Sequence, residues 1–127
     1  MANNAITTTT AKRKMLLARA GVQELPKIEK MAFGNGGETE NGVVKQPLNE
    51  QTTLNSEIYR KEIDGCEIVN DTQIKYICTL TPEELAGQEI SELALVDADG
   101  DLLAIKNFKA VEKNGEFEMR FKVNDTM

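Results

Sequence analysis

Three aspartates at alternate positions are the side chains in this sequence best placed to do chemistry. Asp97, Asp99 and Asp101 surround Gly100 in the stretch LALVDADGDLLAI, residues 93–105. Carboxylates at this spacing are the ligands of calcium loops, and paired carboxylates also perform acid–base catalysis when their pKa values differ. These two hypotheses compete with a third, in which the acids only mark a turn between two strands.

The calcium hypothesis fails at two positions that define an EF-hand loop. Such a loop has acids or Asn at its first, third and fifth positions, glycine at the sixth and glutamate at the twelfth. Counted from Asp97, the sixth residue is Leu102 and the twelfth is Phe108, and the flanking segments alternate like strands. No metal-binding residue is therefore predicted, and weak cation binding by the acidic tip remains the alternative.

A catalytic site would lack its usual partners. The chain has no histidine, which removes the commonest general base and the commonest transition-metal ligand. A turn tip in water does not separate the pKa values of its carboxylates, and no basic or nucleophilic residue lies near the three aspartates in the sequence. We therefore predict a protein that is not an enzyme and that has no catalytic and no cofactor-binding residues.

A β-hairpin explains the aspartates more simply. The sequence DADG suits a type I turn, and Gly100 suits the left-handed position of a three-residue loop. A two-residue Asp99–Gly100 turn is the rival register. Both arms are apolar on both faces, which predicts a central hairpin that is covered on both sides. The three-residue loop gives the pairs Val96–Leu102, Leu95–Leu103 and Leu93–Ile105.

A second candidate is the glycine-rich segment GNGG, which follows a predicted strand. The phosphate-binding patterns of P-loops and of dinucleotide-binding folds are absent from it, and Glu38 and Glu40 would repel a phosphate. We predict that the glycines adopt backbone angles which only glycine tolerates easily. The loop at residues 34–47 and the N-terminal arm are the predicted partner-binding surfaces. The loop begins with Gly34, Asn35, Gly36 and Gly37.

The composition limits the class of protein. A chain of 127 residues has the size of one domain, here predicted over residues 1–127 with a flexible arm at residues 1–10. The net charge of −6 argues against a nucleic-acid partner, because phosphate affinity requires clustered Lys and Arg. A small basic cluster, Lys12, Arg13 and Lys14, does occur near the N-terminus. It is either a solvated face or a contact to an acidic partner.

The sequence lacks the signals of an exported or membrane protein. No apolar run approaches the length of a membrane span, and the polar N-terminus MANNAITTTTAKRK does not resemble a signal peptide. We therefore expect synthesis in the cytoplasm and no membrane partner. The two cysteines, Cys66 and Cys78, do not form a C-x-x-C motif, and we predict two reduced, largely buried thiols.

One helix and several strands must position these residues. The segment TAKRKMLLARAG predicts the helix, with Thr8, Thr9 or Thr10 as its N-cap and Gly21 after its end. Alternating patterns predict about six strands, of which EFEMRFKV is the clearest, with Phe117 among its inward-facing residues. The predicted fold class is α+β, an N-terminal helix with a mainly antiparallel sheet or sandwich of about six strands.

Several segments, taken in order, resemble a known family. They are Ile28 to Gly37 with the sequence IEKMAFGNGG, Gln51 to Arg60 with QTTLNSEIYR, and Glu92 to Ala104 with ELALVDADGDLLA. They are similar to the family patterns I-x-x-M-A-F/V-G-D-G-G, Q-T-x-L-x-x-E-V-Y-R and E-x-G-L-F-D-A-D-G-D-L-I-A. The series extends from about Thr8 to Val123 and resembles the N-terminal domain of bacteriophage tail fibres, the phage tail-collar fibre family.

The resemblance implies a structural phage or prophage protein that attaches receptor-binding fibres to the tail baseplate. The implied partners are baseplate or fibre proteins and two further copies of the chain in a homotrimer. The implied location is a virion tail or tail-like particle, after synthesis in the bacterial cytoplasm. The competing hypothesis is a small stand-alone ligand- or cation-binding module that uses the acidic tip or the glycine loop.

Two features of the sequence depart from the family pattern. Asn35 stands where the family usually has Asp, which weakens any expectation of a cation in the glycine loop. The sequence stops at Met127, where a long fibre shaft normally follows. A removed shaft and a short stand-alone adaptor are therefore both open, and the trimer is expected only in the first case.

Overall fold

Eight strands and one helix make up the described part of the chain, residues 4–127, in the computed structural model. All paired strands are antiparallel, and they form two sheets with the strand orders β1-β7-β6-β2-β3 and β4-β5-β8. The elements in chain order are β1 (Ala5–Thr7), α1 (Thr9–Arg19), β2 (Ile28–Gly34), β3 (Glu57–Glu62), β4 (Gly65–Asn70), β5 (Gln73–Leu80), β6 (Glu89–Asp97), β7 (Leu102–Glu112) and β8 (Met119–Thr126).

The predicted α+β class is wrong, because the fold is mostly β. Strands hold 48% of the chain and the helix holds 9%. The helix forms where the sequence predicts it, but α1 has only 11 residues. Strand β1 lies inside the predicted arm and becomes a strand by pairing with β7, which places Ile6 opposite Ile105. Such pairing depends on tertiary contacts that a local sequence pattern does not contain.

The hydrophobic core lies on both faces of the central strand β6. On one face, the five-stranded sheet packs against the three-stranded sheet, and the rings of Phe33 and Phe121 meet with centroids 5.0 Å apart. On the other face, Ala94 and Val96 pack with Leu54, which comes from the long segment between β2 and β3. The predicted covering of the hairpin on both sides is confirmed. The main cluster contains Met31, Phe33, Cys78, Leu80, Leu85, Ile90, Leu93, Leu95 and Val123.

The hairpin of β6 and β7 has the predicted three-residue loop. Asp97 N–H donates to the Asp101 carbonyl at 3.0 Å, and Gly100 has a φ of +86°. The pair Val96–Leu102 is confirmed, but a bulge then shifts the register, so that Leu95 faces Ala104. The predicted pairs Leu95–Leu103 and Leu93–Ile105 are therefore wrong. The extra residue of the bulge turns both Leu102 and Ile105 toward the same apolar cluster, which strict alternation would forbid.

Both ends of α1 follow the sequence signals. The Thr8 hydroxyl accepts a hydrogen bond from Ala11 N–H at 3.1 Å and also donates to the Leu102 carbonyl at 2.8 Å. Gly21 follows the last turn with a φ of +74°, and the next amide, Val22 N–H, donates to the Leu17 carbonyl at 3.0 Å. This is a Schellman ending, which needs a residue that tolerates the left-handed region. The Thr8 bonds also attach the start of the helix to the hairpin.

Two further sequence expectations need correction. Phe117, predicted to face inward on a strand, is exposed and lies before β8. Strand β8 begins at Met119, which pairs with Leu80, and Leu80 is the last residue of the partner strand β5. Cys78 is buried as predicted, and burial raises the pKa of its thiol to about 12. Cys66 is exposed, because β4 lies at the edge of the smaller sheet.

Candidate functional site

Lys14 of α1 is buried against the hairpin tip, where it binds all three aspartates. Its Nζ lies 2.6, 3.1 and 2.7 Å from the Oδ2 atoms of Asp97, Asp99 and Asp101. The Asp97 side chain is fully buried, whereas those of Asp99 and Asp101 are 62% and 49% exposed. Burial acts to lower the pKa of Lys14, but the hydrogen bonds to the carboxylates of Asp101, Asp97 and Asp99 outweigh it and raise that pKa. Lys14 therefore stays charged.

This contact corrects two interpretations of the sequence. The aspartates do have a basic partner, but it lies 83 residues from Asp97 in the chain. The basic cluster is also not one solvated face, since Lys14 points inward while Lys12 and Arg13 are exposed. One signal was available in the sequence: Lys14 lies three residues after Ala11 and four residues before Ala18, on the same helix face as these apolar residues.

The acidic tip is an ion-paired turn in which no carboxylate oxygen of Asp97 is free. Asp97 Oδ1 accepts from the backbone N–H groups of Asp99 and Asp101, both at 3.0 Å, while Oδ2 accepts from Lys14. The three carboxylates bring ligand atoms within 4.8 Å of one another, as a cation site would require. The Lys14 ammonium lies between them, so an incoming cation would have to displace it.

A second buried carboxylate, that of Glu92 on β6, holds the glycine loop. Its Oε2 accepts from Gly36 N–H at 2.9 Å and Ser56 N–H at 2.8 Å, and its Oε1 accepts from Asn55 N–H at 2.9 Å. The neighbouring Ser91 hydroxyl accepts from Gly37 N–H at 2.9 Å. A carboxylate with three backbone donors is well satisfied although it is buried. Like Lys14, Glu92 was not identified from the sequence.

The first three glycines of the loop are required for close approach and not for unusual backbone angles. None of them has a positive φ. A Cβ on Gly37 would lie 1.9 Å from the Ser91 carbonyl oxygen, and one on Gly34 would lie 2.5 Å from Glu92 Oε2. The prediction of glycine-only angles is wrong for Gly34, Gly36 and Gly37, and it holds only farther along the loop at Gly42, where φ is +78°.

The loop nevertheless exposes a surface. Asn35 is exposed between the inward-facing glycines, and Val43 and Leu48 are 62% and 63% exposed. The Glu38 side chain accepts from Ala110 N–H at 3.0 Å, which attaches the middle of the loop to β7. Of the predicted partner-binding residues, Gly34, Gly36 and Gly37 form the fixed base of the loop, and Asn35 is exposed.

A third polar cluster joins β3 to the turn after β5. Lys61 Nζ lies 2.8 Å from Glu84 Oε1, and the Tyr59 hydroxyl donates to Glu84 Oε2. Burial acts to raise the pKa of Glu84, but hydrogen bonds from Lys61, Thr81 N–H and Tyr59 outweigh it and lower that pKa from 4.5 to about 2. The same cluster raises the pKa of both Tyr59 and Lys61. Because the pKa of Glu84 is lower in the folded chain than its ordinary value, the cluster stabilises the fold.

Glu84 should therefore contribute to the acid sensitivity of the protein. Because its pKa is lower in the folded chain, its contribution to stability is present above pH 4.5 and is lost as the pH falls toward 2. We expect the Tm of the wild type to fall more steeply across this window than the Tm of Glu84→Gln, measured by circular dichroism. Parallel curves for the two proteins would contradict the assigned cluster.

A groove with a volume of about 500 Å³ lies between α1 and the three-stranded sheet. Met15, Leu25 and Tyr76 give it a mostly apolar lining, and Lys14 forms part of its wall. Neither the three aspartates nor the glycines at residues 34–37 line it. The ligand-binding alternative, which places the ligand at the acidic tip or the glycine loop, therefore gains no support from this groove.

Comparison with known proteins decides the family. The family model described as phage tail-collar fibre protein, N-terminal, matches residues 1–123. The chain belongs to this family. No curated protein and no solved structure matches it significantly. The resemblance seen in the sequence is thereby confirmed, and the tail-collar fibre family supports a structural role in the phage tail and association with other tail structures.

The three segments that resemble the family are joined by hydrogen bonds in this tail-collar fibre chain. These segments, residues 28–37, 51–60 and 92–104, are far apart in sequence but meet at one side chain. Glu92 begins the third segment, and its carboxylate accepts from Gly36 in the first and from Asn55 and Ser56 in the second. Among the described residues of this tail-collar fibre chain, no helix is long and apolar enough to span a membrane.

Proposed function

We propose that this chain attaches receptor-binding fibres to the baseplate of a phage or prophage tail through its loop surface. We define the loop surface as the exposed side chains of residues 35–48, chiefly Asn35, Val43 and Leu48. Family membership supports a structural tail role. The observation that carries the proposal is that the base of the loop is fixed by Glu92 while two large apolar side chains remain exposed.

The energetics of association favour such a surface. A loop that is already ordered loses little further entropy on binding, so more of the contact energy appears as affinity. Val43 and Leu48 are exposed on this ordered backbone. Apolar anchors of this kind, surrounded by polar side chains, are typical of the centre of a protein interface. Asn35, Thr39 and Asn41 supply exposed polar side chains around them.

The test is binding of the purified chain to tail particles assembled without the fibre. We expect the wild type to bind and the double variant Val43→Asp/Leu48→Asp to bind on the order of 10-fold or more weakly. Ile68→Asp is the matched control, because Ile68 is also exposed but lies on β4 in the other sheet. Failure of the wild type to bind tails would reject attachment. Equal binding of the wild type and the double variant would reject the loop surface as the contact but would leave the attachment role standing.

We also propose the finer assignments that accompany this role. The chain acts as a homotrimer in the virion tail or a tail-like particle, it has no catalytic activity, and its partners are proteins and not nucleic acid or membrane. The absence of histidine, the net charge of −6 and the structural character of the family support these assignments. Light scattering of the purified protein is expected to give the mass of three chains, and a monomer mass would reject the trimer for this length of chain.

A further inference from the structure

The outward side of α1 carries three cations around one exposed apolar side chain. Lys12, Leu16 and Arg19 follow one another at spacings of four and three residues, so they lie on one helix face, with Arg13 beside them. All four side chains are exposed, and Leu16 is 61% exposed. We call these four residues the basic face of α1. The helix itself contains no acidic residue.

The charges of the basic face are not compensated within the part of the chain that the structure describes. Over residues 4–127, every ion pair of α1 involves Lys14, whose partners are the three aspartates. Lys12 and Arg13 also lie in the first half of the helix, where the helix dipole disfavours positive charge. An anionic group of a binding partner would pair with these cations and would also offset their unfavourable interaction with the helix dipole.

The basic face is also held rigidly. The Thr8 cap attaches the start of α1 to the hairpin, and Lys14 attaches its middle through the buried Asp97. A helix fixed in this way presents its outward side chains in one orientation, which lowers the entropic cost of association. Because the three aspartates of the hairpin tip pair with Lys14, the other cations of the helix remain available to an external partner.

The chemistry of the face discriminates between classes of partner. Phosphate affinity depends on Lys and Arg side chains clustered on a basic surface, whereas this face has three cations on a chain with net charge −6. A helix that lies on a membrane needs a broad apolar face, whereas Leu16 is the single large apolar side chain on this one. An apolar centre with a charged rim is instead typical of a protein interface.

We propose that the basic face of α1 binds an acidic protein surface that receives Leu16 at its centre. That this acidic surface belongs to the phage tail rests on the proposed function. The loop surface and the basic face then make two separate contacts. Of the two interpretations of the basic cluster, the contact to an acidic partner is retained, with Arg19 and Leu16 in place of Lys14.

The test uses two charge-reversed triple variants of the full chain. Lys12→Glu/Arg13→Glu/Arg19→Glu reverses the basic face. The control, Lys30→Glu/Lys106→Glu/Lys122→Glu, makes the same change of net charge at three exposed lysines on strands. The probes are a labelled synthetic peptide of alternating Glu and Leu residues and tail particles that lack the fibre. We expect the basic-face variant to bind both probes on the order of 10-fold more weakly than the control, with the difference shrinking at high salt.

The outcomes separate this inference from the proposed function. If the wild type binds tails and reversal of the basic face changes neither binding nor its salt dependence, the inference is overturned and the attachment role stands. If the peptide binds in a face-dependent way but tails do not, the inference stands and the attachment role fails. Binding to neither probe overturns the inference. Stronger binding to duplex DNA or to phosphatidylglycerol vesicles, or self-association abolished by the reversal, overturns it in favour of that partner.

A folding check keeps the test decisive. Each variant is compared with the wild type by circular dichroism and Tm before binding is measured. If the glutamate variant does not fold, the neutral variant Lys12→Gln/Arg13→Gln/Arg19→Gln replaces it. Leu16→Ala is expected to weaken binding while leaving its salt dependence unchanged, because this change removes the apolar centre and no charge.

Discussion

Replacing Lys14 by methionine is expected to lower the free energy of unfolding by about 3 kcal/mol. The change keeps the length and the apolar part of the side chain but leaves the fully buried Asp97 without its counter-charge. Asp99 and Asp101 are partly exposed, so water compensates them and they add less to the loss. Urea denaturation followed by circular dichroism measures the difference.

The matched control for this prediction is Lys12→Met, the same substitution on the same helix. Lys12 is exposed and has no ion pair among the described residues, so its replacement should change the free energy of unfolding by less than about 0.5 kcal/mol. A loss for Lys14→Met no larger than that of the control would show that the buried ion pair does not exist in solution.

The Lys14 variant also tests the cation-binding alternative. In the wild type, Lys14 lies between the three carboxylates, and millimolar calcium should leave the Tm unchanged. In Lys14→Met, the same carboxylates lack a counter-charge, and calcium should raise the Tm because it binds only the folded state. A calcium-dependent Tm in the wild type would favour a ligand-binding module over an acidic tip that serves only to hold α1.

The second large effect is expected for Gly37→Ala, which should lower the free energy of unfolding by about 3 kcal/mol or prevent folding of the loop. The new Cβ would lie 1.9 Å from the Ser91 carbonyl oxygen, and this backbone atom belongs to the central strand β6. The loop would have to move away from β6, which would break the bond from Gly37 N–H to the Ser91 hydroxyl. Thermal unfolding of the purified variant measures the loss.

Gly65→Ala is the matched control for Gly37→Ala. A Cβ on Gly65 meets no atom within 4 Å, and Gly65 has no positive φ, so the substitution should be nearly neutral. Glu92→Gln should also weaken the attachment of the loop to β6 and lower the free energy of unfolding by about 3 kcal/mol. In this variant an amide replaces the carboxylate that accepts from three backbone N–H groups. If Gly37→Ala were as stable as Gly65→Ala, the loop could not be packed on β6 as described.

Local features of this fold could be predicted from the sequence. The Thr8 cap, the Gly21 ending of α1 and the Gly100 loop each depend on a few neighbouring residues, and all three form as expected. The hairpin register was predicted only as far as Val96–Leu102, because the bulge that follows it satisfies the packing of a cluster assembled from distant strands. For the same reason β1 was missed.

The residues that organise the site were not predicted, because their partners are far away in the chain. Glu92 binds amides that lie 36 to 56 residues before it, and Lys14 lies 83 residues from Asp97. A weaker signal did exist in both cases. Glu92 is an acid inside the mostly apolar run ISELALV, and Lys14 is a cation on the same helix face as Ala11 and Ala18. Charged residues at such positions must find buried partners, although the sequence does not say which.

The pairing of β1 with β7 has a consequence for the order of folding during synthesis. Residues 5–7 pair with residues 104–106, so about a hundred residues must leave the ribosome before β1 can find its partner strand. At roughly 5–20 residues per second, this interval lasts roughly 5–20 s. Strand β1 and Lys14 can therefore complete their contacts only after the hairpin that receives them has been translated, so the docking of this segment on the hairpin has to wait for residues far along the chain.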